Sequence, residues 1–173
     1  MAKKPKNIKK PESPLKTKLR RYVLNLGSII KEPDIPNLEF CIVFTHPRGP
    51  AARSFEIHKP KGESLIAIIH KTNINPEHMK ILQEKNLLVD LNIRLKKLCY
   101  MKSIEYNIQL SQGFFLFITT IYLEDKISMN MFYKSVRNIL DADLYAILMI
   151  AELLGDKSTL KEDDSGIGPS FYS

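Results

Sequence analysis

Apolar residues recur along this chain with two periods, and the switches between them mark out its elements. Leu15, Leu19, Tyr22, Val23, Leu26 and Ile30 follow one another at spacings of four, three, one, three and four, one face of a helix with Ser13 as its cap and Pro14 in its first turn. Pro33 and Pro36 end that pattern. Leu38, Phe40, Ile42 and Phe44 then alternate with Glu39, Cys41, Val43 and Thr45, the period of a half-buried strand. A loop from His46 to Arg53 holds Pro47, Gly49 and Pro50, and Phe55 to Lys59 and Leu65 to Ile69 read as two further strands around Pro60, Lys61 and Gly62. A two-residue and a three-residue turn there place different side chains opposite one another, and the pattern leaves both registers open.

The period changes at Asn75. Asparagine at the cap, Pro76 at the first helical position and Glu77 beside the positive end of the helix dipole predict a helix start. Met79 and Leu82, then Leu88, Leu91, Leu95 and Leu98, carry helical spacing to Tyr100, with Asn86 as a bend between two helices. Ile104, Tyr106, Ile108 and Leu110 alternate with polar residues, and Gly113 leads into Phe114 to Leu123, apolar on both faces and so central in a sheet. These two strands form a hairpin. Ser128 caps a last helix, ended by Gly155, on which Phe132, Val136, Ile139, Leu140, Leu144, Ile147 and Leu148 form a face wider than a surface helix needs. The excess width suggests burial from two sides or a subunit contact, and for the latter Phe132, Val136, Leu140, Leu144 and Ile147 are the candidates.

Charge alters the picture at the ends only. The chain has 173 residues, 44% of them hydrophobic, and a formal charge of +7. Lys3, Lys4, Lys6, Lys9, Lys10, Lys16, Lys18, Arg20 and Arg21 stand against Glu12 alone, so residues 1–21 carry +8 and the remaining 152 residues −1. Residues 1–13 read as a disordered basic arm, 14–155 as one domain, and 156–173 as a flexible acidic tail. The nine cations are the candidate nucleic-acid contacts, and without interleaved aromatics they would bind without reading sequence. Cys41 and Cys99 lie in apolar surroundings with no C-x-x-C spacing, which suits a reduced, cytoplasmic protein. No secretory signal is expected, and no apolar run is long enough for a membrane span.

Catalytic signatures are absent. His46, His58, His70 and His78 are spaced by twelve, twelve and eight, which matches no ligand pair, so neither a metal nor another cofactor is expected. The carboxylate pairs Glu124 with Asp125, Asp141 with Asp143 and Asp163 with Asp164 read as solvated charge in a turn, on a helix's outer face and in a tail. Arg48, Arg53, Lys59 and Lys61 read as a charged turn or as a small phosphate-contacting patch. No small-molecule substrate is evident.

The order of helix, three strands, long helix, two strands and helix looks like a two-layer α/β sandwich (α+β) with a five-stranded antiparallel sheet. Through KPKG, LIAII and INPEHMKIL, supported by the leucine-rich helix, ITTIYLED from Ile118 to Asp125 and the helix from Met129 to Leu154, residues 14–154 resemble an archaeal family of unknown function with a type III secretion chaperone-like fold. The resemblance implies that fold and an archaeal cytoplasmic origin, and supplies no catalytic residues. A non-enzymatic adaptor, binding a protein partner or a second copy of itself, is the first expectation. An accessory protein of RNA or the ribosome, anchored by the basic arm, is the second.

Overall fold

The computed structural model describes residues 13–123 and 127–155. The expected arm, apart from Ser13, and the whole of the expected acidic tail lie outside these residues, as does the pair Glu124 and Asp125.

Helix α1 (Pro14–Leu26) begins as the proline predicts, although the Ser13 side chain makes no capping hydrogen bond. It stops four residues before Ile30, because Gly27 carries the chain directly into a short strand, β1 (Ser28–Lys31), that pairs with β2 (Leu38–His46). A Cβ at Gly27 would sit 1.8 Å from the Thr45 carbonyl oxygen, so only glycine permits this approach. This strand is the sixth: the expectation of five counted Ile30 as helical, since it stands four residues after Leu26.

Strands β3 (Arg53–Pro60) and β4 (Leu65–Asn73) follow, then helices α2 (Pro76–Glu84) and α3 (Leu88–Lys102), strands β5 (Glu105–Gln109) and β6 (Phe114–Tyr122), and helix α4 (Met129–Leu154). All pairings are antiparallel, in the order β1-β2-β3-β4-β6-β5, so β6 is interior as its two apolar faces require. The central hairpin has neither of the two expected turns: with Ile57 opposite Ile68 and His58 opposite Ala67, four residues, 61–64, connect Pro60 and Leu65. Asn75 accepts from the Glu77 amide at 2.8 Å, Ser128 accepts from the Met131 amide at 3.1 Å, and Asn86, at φ 57°, breaks the long helical pattern into α2 and α3.

The helices share one side of the sheet. Phe44, Phe55, Ile57, Ile68, Phe115 and Phe117 point to that side and pack with Leu19, Val23, Leu91, Leu95, Phe132 and Ile139 in one continuous core. Phe44 and Phe55 stack with centroids 5.3 Å apart, and Phe132 closes the cluster from α4 at 6.3 Å. The alternate residues, among them Cys41, Glu56, His58, Ile69, Lys71, Leu116 and Ile118, face the opposite side.

Candidate functional site

Helix α4 is the longest helix among the described residues, and its apolar positions meet different fates. Phe132 and Val136 are fully buried in the core between helices and sheet: the Phe132 ring lies 6.3 Å from Phe44 and 5.9 Å from Tyr22 on α1, and the Tyr133 hydroxyl donates to the Tyr22 carbonyl. These two residues belong to the core and offer nothing to a partner, which corrects that part of the expected face. Farther along, Leu140 and Ile147 are half-buried, while Leu144 and Leu148 are 46% and 40% exposed. Beyond them an apolar cleft of about 200 Å³ opens between α4 and the joint of β4 with α2, lined by Ile74, His78, Ile147, Ile150, Ala151 and Leu154 among others. Leu140, Leu144, Ile147, Leu148, Ala151 and Leu154 fall within about a third of the helix circumference, so the stripe runs into the cleft without a polar break.

Among the described residues, the basic candidates do not gather. Lys3, Lys4, Lys6, Lys9 and Lys10 lie outside the described residues. On α1, Arg20 grips Glu32 through two hydrogen bonds of 2.7 and 2.6 Å and Lys16 pairs with the same carboxylate at 2.9 Å, so both cations are neutralised within the chain. Those Arg20 contacts, against a smaller opposing effect of burial and with Lys16 assisting, hold Glu32 below the ordinary carboxylate range. Lys18 sits 5.8 Å over the Tyr22 ring, and Arg21 is exposed. The turn cluster disperses as well: Lys59 is buried and donates to the Pro60 and Glu63 carbonyls, Arg48 donates to the Leu24 and Gly27 carbonyls at the end of α1, and Arg53 turns under α4. No phosphate-contacting patch assembles from them.

Under α4 lies a charged cluster that the sequence reading missed. Asp143, expected on the solvated side of the helix, is 0% exposed. Its Oδ2 accepts from Arg53 Nε at 3.0 Å, and its Oδ1 accepts from the Thr72 hydroxyl at 2.5 Å. His70 Nε2 lies 3.3 Å from the same Oδ1 but without hydrogen-bond alignment. Its Nδ1 faces the Ser54 carbonyl at 2.7 Å and must carry a hydrogen, because a carbonyl only accepts. Burial pushes the Asp143 carboxyl up, and His70, Thr72 and Arg53 outweigh it, so the group sits below its ordinary value. A signal existed: Asp143 stands four residues after Ile139 and three before Ala146, inside the buried stripe, just as His70 continues the alternation of Ile66 and Ile68. Because Asp143 is tied to Arg53 on β3 and Thr72 on β4, the cluster anchors the helix to the sheet.

The helix-free side of the sheet holds the one group of three or more potential metal ligands among the described residues. Cys41 on β2 stands directly opposite His58 on β3, with Glu56 two residues earlier on the same face, and their ligand atoms all lie within 4.8 Å of one another. His58 Nε2 and Glu56 Oε2 are 2.7 Å apart. A shallow cleft lined by Ser54, Glu56, His58, Ile69, Lys71 and Leu116 adjoins them. Both thiols are free and buried, and burial pushes Cys99 up to about 11; at Cys41 burial, seconded by the Glu56 charge, has the same outcome, about 11. Elsewhere His46 Nδ1 lies 2.9 Å from the Leu26 carbonyl and His78 lines the cleft by α4, so the four histidines do not converge.

These features define a small α+β protein with helices on one side of an antiparallel sheet and an apolar helix surface left uncovered. The chain belongs to the uncharacterized conserved protein family DUF2299, whose model matches residues 15–150, in accord with the resemblance drawn from residues 14–154. The fold is similar to the crystal structure of an uncharacterized protein from the archaeon Methanothermobacter thermautotrophicus, with a TM-score of 0.71 at 18% identity, over 81% of this chain and 99% of that one. YbjN from E. coli is a more distant neighbour, with a TM-score of 0.44 at 12% identity over 82% and 93% of the two chains, too slight a likeness to build on. No protein of curated function matches the sequence. No helix among the described residues is long and apolar enough to cross a membrane.

Proposed function

We propose that this protein is a non-enzymatic, chaperone-like adaptor of the cytoplasm that binds a protein partner, or a second copy of itself, through the uncovered half of α4. The observation that carries the reading is the continuous apolar stripe of Leu140, Leu144, Ile147 and Leu148, exposed at Leu144 and Leu148 and joined to the cleft at Ile150 and Leu154. A helix edge with a neighbouring groove suits the seating of an apolar segment, with side-chain burial as the driving force. Light scattering on the purified chain, together with affinity capture from native extract, tests it. Association is expected to survive nuclease and to weaken at least about tenfold in Leu144→Glu and Leu148→Glu, as a charge buried in an apolar contact requires. A monomer that captures no protein would overturn it.

A second reading, an accessory protein of RNA or the ribosome, draws on the concentration of +8 within residues 1–21 of a chain whose remainder carries −1. Lys16 and Arg20 are already paired with Glu32, so the load falls on the five lysines of the first ten residues and on Lys18 and Arg21. Deleting residues 1–13 is then expected to abolish RNA association and its salt dependence; unchanged binding would exclude this reading.

A further inference from the structure

The Cys41, Glu56 and His58 cluster lies on the side of the sheet opposite α4 and is independent of the partner surface. We propose that it is a site for a borderline-soft divalent metal ion of the zinc class, with three protein ligands and a fourth position open to water.

Three observations carry this. The first is register: Cys41 and His58 are direct cross-strand partners, and Glu56 shares their face, so two paired strands deliver three ligands without any loop having to order. The second is convergence. Thiol sulfur, imidazole nitrogen and carboxylate oxygen lie within 4.8 Å of one another, and His58 and Glu56 already direct their polar atoms together at 2.7 Å. Bonds of roughly 2.0–2.3 Å to one zinc ion need only small side-chain adjustments from there. The third is chemistry. A thiolate, a carboxylate and a neutral imidazole balance the charge of a divalent ion, and sulfur with nitrogen favours zinc or cobalt over magnesium or calcium. The sheet core behind holds the ligands on strands, while the cleft beside Glu56 and His58 gives an ion a way in and leaves room for water as the fourth ligand.

Spacing rules cannot detect such a site, since its two elements meet only through the pairing of β2 with β3. The expectation that no metal binds rested on the spacing of the histidines and on their placement on different elements.

Cobalt(II) titration of the full chain, reduced and stripped with chelator, provides the test. One equivalent is expected to bind with the near-ultraviolet charge-transfer band of a cobalt–thiolate bond, and zinc(II) should bleach it by displacement. Cys41→Ser is expected to remove the band, Cys99→Ser to keep it, and His58→Gln and Glu56→Gln each to weaken binding at least about tenfold. Glu56 is half-exposed, so Glu56→Gln leaves the core intact and serves even if Cys41→Ser fails to fold. Absence of the band in the wild-type chain, its persistence in Cys41→Ser, or affinity unchanged in both His58→Gln and Glu56→Gln would overturn the assignment.

Discussion

The two sides of the sheet use the same strands for opposite purposes. Along β6, Phe115 and Phe117 are fully buried against the helices, whereas Leu116 and Ile118, their chain neighbours, are half-buried on the other side. The helix side holds nearly the whole aromatic core and seals a carboxylate beneath α4. The other side keeps a mixture of Ile69, Leu116 and Ile118 with Glu56, His58 and Lys71. Alternation at a period of two therefore does more than separate inside from outside. It divides stability from chemistry, and substitutions on the two sides should have unequal costs.

The largest expected effect is on the covered side. Phe117→Ala should lower unfolding free energy by about 3–5 kcal/mol, read from the urea midpoint, because both transfer and cavity costs apply at a site with no room to relax. Asp143→Ala should cost nearly as much, about 3–5 kcal/mol, since it strands Arg53 and Thr72 under the helix; a value near zero would mean the cluster is hydrated and does not hold α4.

Acid should reach the same cluster more gently. The folded Asp143 carboxyl titrates below its ordinary value, so its contribution is fully present above the unfolded pKa of about 3.9 and is lost as pH falls through the lower folded value. The melting temperature should therefore drop below about pH 4 in the wild-type chain and more shallowly in Asp143→Asn. The smallest effect belongs to the open side: Leu116→Ala should cost only about 1 kcal/mol, as expected for a half-buried leucine that leaves no closed cavity. A cost equal to that of Phe117→Ala would show that something covers this side in solution.

Local chemistry announced most of the fold. Asn75 with Pro76, Ser128 and Gly155 marked helix ends because capping depends on neighbours in sequence, and strand alternation put nearly every core residue on its proper side. What escaped notice depended on distant neighbours. Strand β1 could not be read from Ser28 to Lys31 because four residues carry too little pattern, and its partner, Thr45, lies beyond a proline-containing connection. Asp143 was misplaced because carboxylates are normally solvated, although its helical position argued otherwise; His70, Thr72 and Arg53, brought from β3 and β4, make its burial tolerable. On α4, Leu144 stayed exposed and Phe132 did not because Phe132 turns to Phe44 on the sheet and Leu144, about 120° away round the helix, turns aside from it, a fact of packing invisible in the helix alone. The meeting of Cys41 with His58 needed the register of two strands joined by the long connection from Pro47 to Ala52.

The short first strand has a further consequence. A sheet border with unpaired amides and carbonyls invites another strand to add itself, the usual route to indefinite stacking. Here that border is four residues long, irregular between Ile29 and Lys31, and ends in a lysine followed by Glu32, which is drawn back onto α1. A docking strand would find too few aligned groups and a charge to bury. Backbone addition at this border is thereby discouraged, and whatever this protein recognises there must be met with side chains.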